Sequence, residues 1–572
     1  MSMASKSKGS SVFPIGNPNV CDGKSYEYIY DAYGNLKEKR SNGKRLVSYT
    51  HDRAGQITEI KDPAGVSTRY EYDILGRRSR IYNNDGLEVR YGYDALNRIS
   101  RIHYGNGVET AYTYDGDGNI RTLETRAGED VLLSFAYRYD GNGNRTAKTG
   151  TQATLGGIIS GSNVLDISYA YDVRGQLLEE RRNGASVCYA YDKAGNRIRK
   201  TDVQGEIRYL YNEKNQLIAE ESPADRKQFS YDRQGGIIEE KNLAGIRLFS
   251  YNNRHQQTRV ETETGNVQEN RYDAEGLRFE LLENGRRTSF VYHDGELLQE
   301  EGREEQGTSY HLGAGMEAFR RGQELSYYHR DEQLSTVFVT DGHRNVQNSY
   351  QYDAFGMSLG TTEKLNNRIR YTGQQYDDVT GQYYLRARYY NPVAGRFMQE
   401  DVYQGDGLNL YAYCGNNPVV YDDPSGYAST SIGKACPPQG KISESVDESG
   451  RDIVPDKGFS SFKDLKTHLD SPGDGKVWHH IVEQSQITGS GFSSEQVNNI
   501  NNVIAIPHGK GSIHAKISGY YSSKQFFTGG KTVRQWLAGQ DFKTQFDFGM
   551  NLLKEYGDVI PSSKGWIFRT FE

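Results

Sequence analysis

The residues best suited to chemistry lie near the carboxyl end, in the run VWHHIVEQSQ and the segment after it. The run contains two adjacent histidines, His479 and His480, and the chain then supplies Asn502, His508 and His514. One imidazole can hold a divalent cation while a neighbouring, free imidazole acts as a general base. Because adjacent residues of a strand point to opposite sides, a local turn must bring both rings to one substrate. A histidine pair alone is weak evidence, since such pairs are often packed or superficial.

The order of these residues resembles that of HNH, or ββα-metal, nucleases with a WHH signature, which occur at the ends of bacterial polymorphic toxins. The matching pieces are WHHIVEQ, NNINNVIAIP and IHAKISGYYSS, spread over about 45 residues. The resemblance implies that His479 binds a divalent metal ion (Mg²⁺, Zn²⁺ or similar) and that His480 is the general base. His514 would be a second metal ligand, with His508 as a spare candidate. Asn502 would hold the intervening loop or orient the base through its amide.

Candidate substrate contacts surround these histidines. Glu483 would bind substrate or support the base, or it is an ordinary surface residue. Four lysines lie close to or after His514, where a phosphate backbone would lie; they are Lys510, Lys516, Lys524 and Lys531. A lysine cluster of this kind also occurs on ordinary solvated helix faces. Charge in the tail is nearly balanced, which suits an enzyme whose metal ion carries the scissile phosphate.

A repeat of about 20 to 21 residues fills most of the chain upstream of this tail. Each copy reads Tyr-x-Tyr-Asp followed by a Gly-containing turn, as in YAYDKAGNR. The alternation places two aromatic rings on one strand face, and Asp-x-x-Gly is turn chemistry, so each copy predicts a β-hairpin. Stacked hairpins predict one continuous antiparallel sheet with a tyrosine-rich face. The repeated position is occupied by Asp31, Asp52, Asp73, Asp94, Asp115, Asp140, Asp172, Asp192, Asn212, Asp232, Asn252, Asp273, His293 and, later, Asp353.

Composition agrees with this architecture. The 572 residues include 44 Tyr and 64 Gly, and the mean hydropathy of -0.80 fits a large sheet with one polar face. Net charge is -6 and the pI is near 6.1, so no global basic field indicates nucleic-acid or membrane binding. No apolar run approaches the length of a membrane span. The four cysteines do not suggest a disulfide framework. The first residues lack the apolar segment of a secretory signal, and we interpret them as an artificial start or an internal cut of a longer protein.

The segment from about residue 305 to 427 has a different pattern, including YYHRDEQLSTVFVTD, YDAFG, TGQQYDDVTGQYYLRARYYNPVAGRF and a terminal DPSGY. It resembles the core segment of the Rhs/YD-repeat family, and with the upstream repeats the resemblance covers about three quarters of the chain. It implies a mostly β fold in which the hairpin sheet spirals into a hollow shell, or cocoon. The shell would enclose the carboxyl-terminal segment, here a small α+β domain of the ββα-metal nuclease type.

The Rhs core also resembles an aspartyl self-protease that cuts after a DPxG-Leu motif. The resemblance places cleavage of this chain after Tyr427, with Asp401 and Asp423 as the catalytic carboxylates. Arg396 would position or polarise the reacting groups. Two carboxylates that share a site have separated pKa values, which provides one acid and one base.

Two positions depart from the family pattern at this site. Val402 replaces the usual Pro, and Tyr427 replaces the usual Leu, so the departures put cleavage in doubt. Asp406 and Asp422 are alternative carboxylates. The alternative interpretation is that these aspartates have no catalytic role and only close turns.

The expected organisation is therefore an N-terminal segment that is disordered or artificial, a YD-repeat shell, an Rhs core, a linker and a nuclease domain. Their ranges are 1–20, 21–304, 305–427, 428–457 and 458–572.

The functional hypothesis is a polymorphic toxin used in bacterial competition, secreted or displayed at the cell surface, whose tail degrades DNA or RNA in the target-cell cytoplasm. The residues above do not discriminate DNA from RNA or tRNA. The family implies an immunity protein and delivery machinery recruited through regions upstream of this chain. The alternative is a YD-repeat adhesion or carbohydrate-binding protein, which has no reason to carry the histidines of the tail.

Overall fold

The computed structural model describes residues 11–12, 24–153, 163–302, 304–402, 409–431, 459–469, 472, 475–509, 512–525, 528, 531–540, 542–554, 556–562 and 565–570. The chain divides into two compact units, Met1–Gly440 and Lys441–Glu572. Several predicted features lie outside the described residues: nearly all of the 1–20 segment, most of the 428–457 linker, Asp406 and Lys510. No helix among the described residues is long and apolar enough to cross a membrane.

The first unit is built on one long antiparallel sheet, in which each described strand pairs with the next one along the chain. Its first half comprises β1 (Ser11–Val12), β2 (Glu27–Tyr30), β3 (Leu36–Ser41), β4 (Lys44–His51), β5 (Ile57–Lys61), β6 (Ser67–Tyr72), β7 (Arg78–Tyr82), β8 (Glu88–Tyr93), β9 (Ile99–Tyr104), β10 (Val108–Tyr114), β11 (Ile120–Ala127), β12 (Asp130–Tyr139), β13 (Arg145–Gln152), β14 (Asn163–Tyr171), β15 (Leu177–Arg182) and β16 (Ala185–Tyr191).

The sheet continues through the second half without a change of topology at the predicted 304/305 boundary, where the strands Glu296–Glu301 and Thr308–Leu312 pair with each other. These strands are β17 (Arg197–Asp202), β18 (Gly205–Tyr211), β19 (Leu217–Glu221), β20 (Arg226–Tyr231), β21 (Ile237–Asn242), β22 (Gly245–Tyr251), β23 (Gln257–Glu261), β24 (Val267–Tyr272), β25 (Arg278–Glu283), β26 (Arg286–His293), β27 (Glu296–Glu301), β28 (Thr308–Leu312), β29 (Met316–Arg321), β30 (Glu324–Arg330), β31 (Thr336–Asp341), β32 (Val346–Tyr352) and β33 (Ser358–Glu363). The predicted mostly β fold with a long hairpin sheet is confirmed.

The repeated Asp and Gly form the hairpin turns. In one copy, Asp172 Oδ1 accepts the amides of Arg174 at 2.8 Å and Gln176 at 2.9 Å. Gly175 has φ +80°, a left-handed conformation in which a side chain is disfavoured. The turn is therefore specified by the sequence of the repeat itself.

The second tyrosine of a repeat connects neighbouring hairpins. The hydroxyl of Tyr231 donates to the carbonyl of Leu217 at 3.0 Å, and that of Tyr211 donates to Arg197 at 2.8 Å. The first tyrosine of the pair, such as Tyr209, is buried in the same face. Phenylalanine would supply the ring but not this hydrogen bond, which explains why the repeat uses tyrosine.

The sheet curls back on itself within this unit. Tyr26 donates to Asp273 at 2.7 Å, and Tyr137 donates to Glu332 at 2.7 Å, although these pairs are far apart in sequence. Residues from the early and late strands consequently share one hydrophobic cluster. The tyrosine-rich face is buried by this curling.

After β33 the chain forms a small sheet and a short hairpin that carry the candidate self-cleavage residues. The strands are β34 (Gln375–Asp377), β35 (Gln382–Leu385), β36 (Arg388–Asn391), β37 (Arg396–Phe397), β38 (Tyr421–Asp422) and β39 (Thr430–Ser431). Buried aromatic rings hold this segment together, including Tyr390 and Tyr413, whose ring centroids are 4.0 Å apart.

The second unit is a small α+β domain. Its elements are α1 (Phe462–Leu469), β40 (Lys476–His480), α2 (Gln486–Gly489), α3 (Ser494–Val497), β41 (Val503–Pro507), α4 (Ile513–Ser522), α5 (Val533–Leu537), α6 (Phe542–Lys554), β42 (Gly557–Ser562) and β43 (Gly565–Thr570). β40 pairs antiparallel with β41, β41 pairs parallel with β43, and β42 pairs antiparallel with β43. One face of this sheet packs on α4, α5 and α6 through an apolar core. From β40 to α4 the order is strand, two short helices, strand and helix, and the two strands pair with each other.

Candidate functional sites

Three histidines of the second unit lie in a row. His479 is in β40, His514 is the second residue of α4, and His508 follows β41 directly. The ring centroids of His479 and His514 are 5.3 Å apart with perpendicular planes, and those of His508 and His514 are 5.2 Å apart. His479 is buried, His514 is partly buried and His508 is exposed. The row therefore runs from the interior of the domain to its surface.

The environment keeps the inner imidazoles neutral. Burial lowers the pKa of His479 to about 3, and the positive charge of a protonated His514 would add to this effect. The pKa of His514 is lowered by burial and by the neighbouring His508. Neutral imidazole is the form that binds metal, and three nitrogen donors suit Zn²⁺ or a similar ion better than Mg²⁺, which prefers oxygen. Among the described residues, no three His, Cys, Asp or Glu side chains converge into a preformed metal site.

His480 lies on the other side of the strand. Its ring centroid is 4.3 Å from that of Phe462 in α1, and its Nε2 lies 3.2 Å from Asn498 Oδ1. Burial lowers the pKa of His480 to about 4. Both histidines pair regularly with β41, so the local turn expected to bring both rings together is not observed in this strand. The expectation was wrong because the backbone remains extended through His480.

Asn502 ties together the chain that connects β40 to β41. It is fully buried, and its side chain accepts the amide of Val482 at 2.8 Å and donates to the carbonyls of Val482 at 3.0 Å and Val497 at 2.8 Å. These contacts correspond to the first of its two expected roles, holding the loop. The amide that contacts His480 belongs to Asn498, which the sequence analysis did not select although it lies in the same Asn-rich run, NNINN.

The predicted substrate contacts have varied surroundings. Glu483 forms a two-pronged ion pair with Arg534 of α5, at 2.6 and 2.7 Å. The ammonium of Lys516 lies 5.7 Å from the ring centroid of Tyr556. Lys524 and Lys531 are exposed. The geometry of Glu483 is that of a residue holding α5, and its role toward substrate stays a prediction.

A second candidate site lies in the first unit, where one arginine joins the two predicted carboxylates. Arg388 Nη2 lies 2.7 Å from Asp401 Oδ2 and 3.4 Å from Asp423 Oδ2. All three side chains are buried. The sequence predicts Arg396 for this position, and the structure corrects this: the Arg396 guanidinium donates to the carbonyl of Asn215 and lies over the rings of Tyr211 and Tyr411. Arg388, eight residues earlier, is the arginine between the carboxylates.

Asp423 also holds the predicted scissile segment. Its Oδ1 accepts the amides of Gly426 at 2.8 Å, Tyr427 at 3.2 Å and Ala428 at 3.3 Å. The last of these nitrogens belongs to the peptide bond at which cleavage is predicted. Gly426 has φ +74°, and a Cβ there would lie 2.3 Å from the carbonyl oxygen of Leu385, so only glycine fits.

A cavity of about 360 Å³ lies beside this bond. Its lining includes Arg388, Asp401, Val402 and Tyr427. Both residues that depart from the family pattern therefore face the cavity without closing it. The volume is enough for several water molecules.

Asp422 is separate from this pair of carboxylates. It accepts a hydrogen bond from the hydroxyl of Thr430, and burial together with the charge of Asp423 raises its pKa to about 6. Asp422 thus fastens β39 to β38, while Asp401 and Asp423 meet at Arg388.

Comparison with known proteins places the sheet in a family. The Teneurin YD-shell profile matches residues 19–136 and 156–419. Curated relatives include the tRNA nuclease WapA of Bacillus subtilis strain 168, at 37% identity over 171 residues, covering 27% of this chain and 7% of that protein. The Double-stranded DNA deaminase toxin A of Burkholderia cenocepacia strain H111 is 26% identical over 304 residues, covering 51% of this chain and 17% of that protein. The chain thus spans a small part of the length of these relatives.

Among solved structures, the complex TcdB2-TccC3-Cdc42 is similar, with a TM-score of 0.40 and 16% identity, covering 71% of this chain and 26% of that chain. The profile match extends over more than half of the 572 residues. The chain belongs to the Teneurin YD-shell family.

Proposed function

We propose that this chain is a polymorphic toxin of the Rhs type, in which the YD shell encloses a self-cleaved tail that hydrolyses nucleic acid. The names of its relatives, a tRNA nuclease, a double-stranded DNA deaminase toxin and a toxin subunit of Yersinia entomophaga, support a toxin function. Because these toxins differ in chemistry, sharing their shell does not specify the reaction of the tail. The chemistry of the tail has to be argued from its own residues.

The observation that carries the nuclease proposal is the row His479, His514 and His508, which is formed by two paired strands and the helix that follows the second strand. The two inner histidines would hold a divalent metal ion, and the exposed His508 offers a further nitrogen. A bound ion would polarise the scissile phosphate and lower the pKa of a water molecule. His480, the last residue of β40, is the proposed general base. Its ring lies on the other side of β40 from the ring of His479, so a phosphodiester bound at the metal would have to pass the end of the strand to reach it.

Cleavage assays on a 428–572 fragment, which the shell cannot enclose, test this proposal. Plasmid DNA and total RNA are incubated with wild type and with His514→Ala, each with and without EDTA. We expect EDTA and His514→Ala to abolish cleavage. His468→Ala, which changes an exposed histidine of α1, is the matched control and should cleave normally. Cleavage by His514→Ala at the wild-type rate would refute the proposal, and the two nucleic acids distinguish DNA from RNA as substrate.

We further infer that the chain cuts itself between Tyr427 and Ala428. Asp401 and Asp423 share Arg388, and the adjoining cavity has room for water. One carboxylate would take a proton from a water molecule that adds to the Tyr427 carbonyl. The other would give its proton to the departing nitrogen of Ala428, which lies 3.3 Å from Asp423 Oδ1. The products are a carboxylate at Tyr427 and an amine at Ala428.

The proposed enclosure of the tail by the shell also suggests how the toxin is handled by the cell that makes it. A producing cell that makes a nuclease needs protection, which the shell and a cognate immunity protein would give. Delivery machinery would carry the assembly to the target cell, where the tail acts in the cytoplasm. Co-purification of a small partner with the tail, from the producing organism, tests the immunity protein.

A further inference from the structure

We propose that Arg386 is a positioning residue that fixes which peptide bond is cut. This inference rests on the self-cleavage proposed above. Arg386 lies in the turn between β35 and β36, two residues before Arg388, and it lines the same cavity.

Three consecutive carbonyls before the scissile bond are each bound by one of three consecutive residues. Arg386 Nη1 donates to Pro424 O. The Ala387 amide donates to Ser425 O at 3.2 Å. Arg388 Nε donates to Gly426 O. Shifting the segment by one residue would break or exchange all of these bonds, so the alignment specifies a register.

Arg386 itself is anchored to other parts of the unit. Its Nε donates to the carbonyl of Gly295 at 2.8 Å, its Nη2 pairs with Glu296, and its Nη1 donates to Gln374 Oε1 at 3.1 Å. A guanidinium presents several donors in a fixed plane, so these anchors determine where its remaining donor points. The hydrogen bond to Pro424 therefore fixes the scissile segment relative to the strands that hold Arg386.

The backbone of Arg386 is the second observation. Its φ is +61°, a left-handed conformation that glycine adopts freely and arginine adopts at a cost. Leu385 pairs with Arg388, which leaves Arg386 and Ala387 as a two-residue turn. A strained residue is retained only where the surroundings determine it, and such residues cluster at functional sites. Turn formation would favour glycine here, so the guanidinium must supply something else.

The opposite side of the segment is held by Asp423, whose Oδ1 accepts the amides of Gly426 and Tyr427. Residues 386–388 thus donate hydrogen bonds to the carbonyls of the segment, and Asp423 accepts hydrogen bonds from its amides. Removing the hydrogen bond from Arg386 leaves Asp401, Arg388 and Asp423 in place. The expected consequence is a slower or misplaced cut, not the loss of the reacting groups.

The test uses the full chain, synthesised in a cell-free pulse, and follows both fragments by intact mass over time. Arg386→Gly removes the guanidinium and suits the turn, while Arg386→Lys keeps a charge without the planar fork. Arg254→Ala removes an exposed arginine from the same cavity and is the matched control. We expect Arg386→Gly to cut about 10²-fold more slowly, or at neighbouring bonds, because small misplacements have effects of that size. Arg386→Lys should be intermediate and Arg254→Ala normal.

Each outcome is decisive. Cleavage of Arg386→Gly between Tyr427 and Ala428 at the wild-type rate would refute the role of Arg386 and leave self-cleavage intact. A wild-type chain that is never cut would refute self-cleavage itself. Thermal melting of Arg386→Gly reports whether the variant folds, and if it does not, Arg386→Lys decides: a normal rate and a single product mass would refute the proposal.

Discussion

His479 and His480 are adjacent in sequence, yet their rings lie on opposite sides of β40. The ring of His479 is 5.3 Å from that of His514 in α4, whereas the ring of His480 is 4.3 Å from that of Phe462 in α1. The strand β40 thereby contributes one histidine to each of two separate sites in the second unit. Variants of the two histidines should therefore have separable effects.

We expect His514→Ala to lose both metal binding and nuclease activity, because it removes a proposed ligand. His480→Ala should retain metal binding and lose activity by about 10²- to 10⁴-fold, the usual contribution of a general base. Calorimetry with Zn²⁺ and a plasmid or RNA cleavage assay measure the two effects on the same samples.

His468→Ala is the matched control for this pair, since His468 is an exposed histidine of α1. It should leave both measurements unchanged. Normal cleavage by His480→Ala, or insensitivity of the wild type to EDTA, would contradict the metal-dependent mechanism. The tail would then need a metal-independent reaction, such as acid–base attack through an RNA 2′-hydroxyl.

The hydrogen bond from Tyr231 to Leu217 predicts a measurable stability effect. Tyr231→Phe keeps the ring but removes the 3.0 Å bond, leaving the partly buried carbonyl without that donor. The loss should be about 1 kcal/mol. Hydrogen exchange of the β19 and β20 amides should be about five-fold faster if local opening governs exchange. Tyr33→Phe, at a highly exposed turn position, should exchange as the wild type does.

The repeats could be predicted from sequence because each hairpin is encoded locally. Asp172 bonds amides only two and four residues away, and Gly175 supplies the left-handed turn. No long-range information is needed to recognise such a unit. The contacts between early and late repeats, such as the hydrogen bond from Tyr26 to Asp273, depend on how the sheet curls and have no local signal.

The site residues divide in the same way. Asp401 and Asp423 could be selected from motifs, but choosing Arg388 over Arg396 requires knowing which strand lies beside the two carboxylates. Similarly, Asn498 and Asn502 lie in one Asn-rich run, and only the fold shows that the first contacts His480 while the second ties the loop. The residue types were enough to predict the kind of chemistry, whereas which residues contact each other depends on the tertiary structure.

Self-cleavage predicts a specific pattern among the carboxylates. Asp401→Asn and Asp423→Asn should each leave a single species of full-length mass, because each removes one of the two groups at Arg388. Asp422→Asn is the matched control, since Asp422 lies outside that contact and bonds Thr430. It should still yield two fragments. Cleavage by both Asp401→Asn and Asp423→Asn would show that the carboxylates only shape the turn.

Asp422 also predicts a pH effect on stability. Burial raises its pKa from 3.8 to about 6, so the folded state favours the protonated form. The stability contributed by this proton is present below about pH 4 and is lost as the pH rises through about 6. Asp422→Asn should therefore be more stable than wild type at pH 8, by an amount on the order of 1–3 kcal/mol, and similar at pH 4. Thermal unfolding at both pH values measures this, with the exposed Asp294→Asn as control; a constant difference would contradict the assignment.

The proposed enclosure of the tail predicts that substrate size controls activity. A shell that excludes macromolecules still admits ions and small molecules, so the intact chain and a 428–572 fragment should bind metal equally. Both should hydrolyse a small phosphodiester such as bis(p-nitrophenyl) phosphate at similar rates per mole. Plasmid or RNA should be cut far faster by the fragment than by the intact chain. Equal cleavage of nucleic acid by the two would contradict a cage. Unequal rates on the small substrate would instead indicate that the shell changes the site itself, and the comparison therefore separates steric exclusion from inhibition of the catalytic groups.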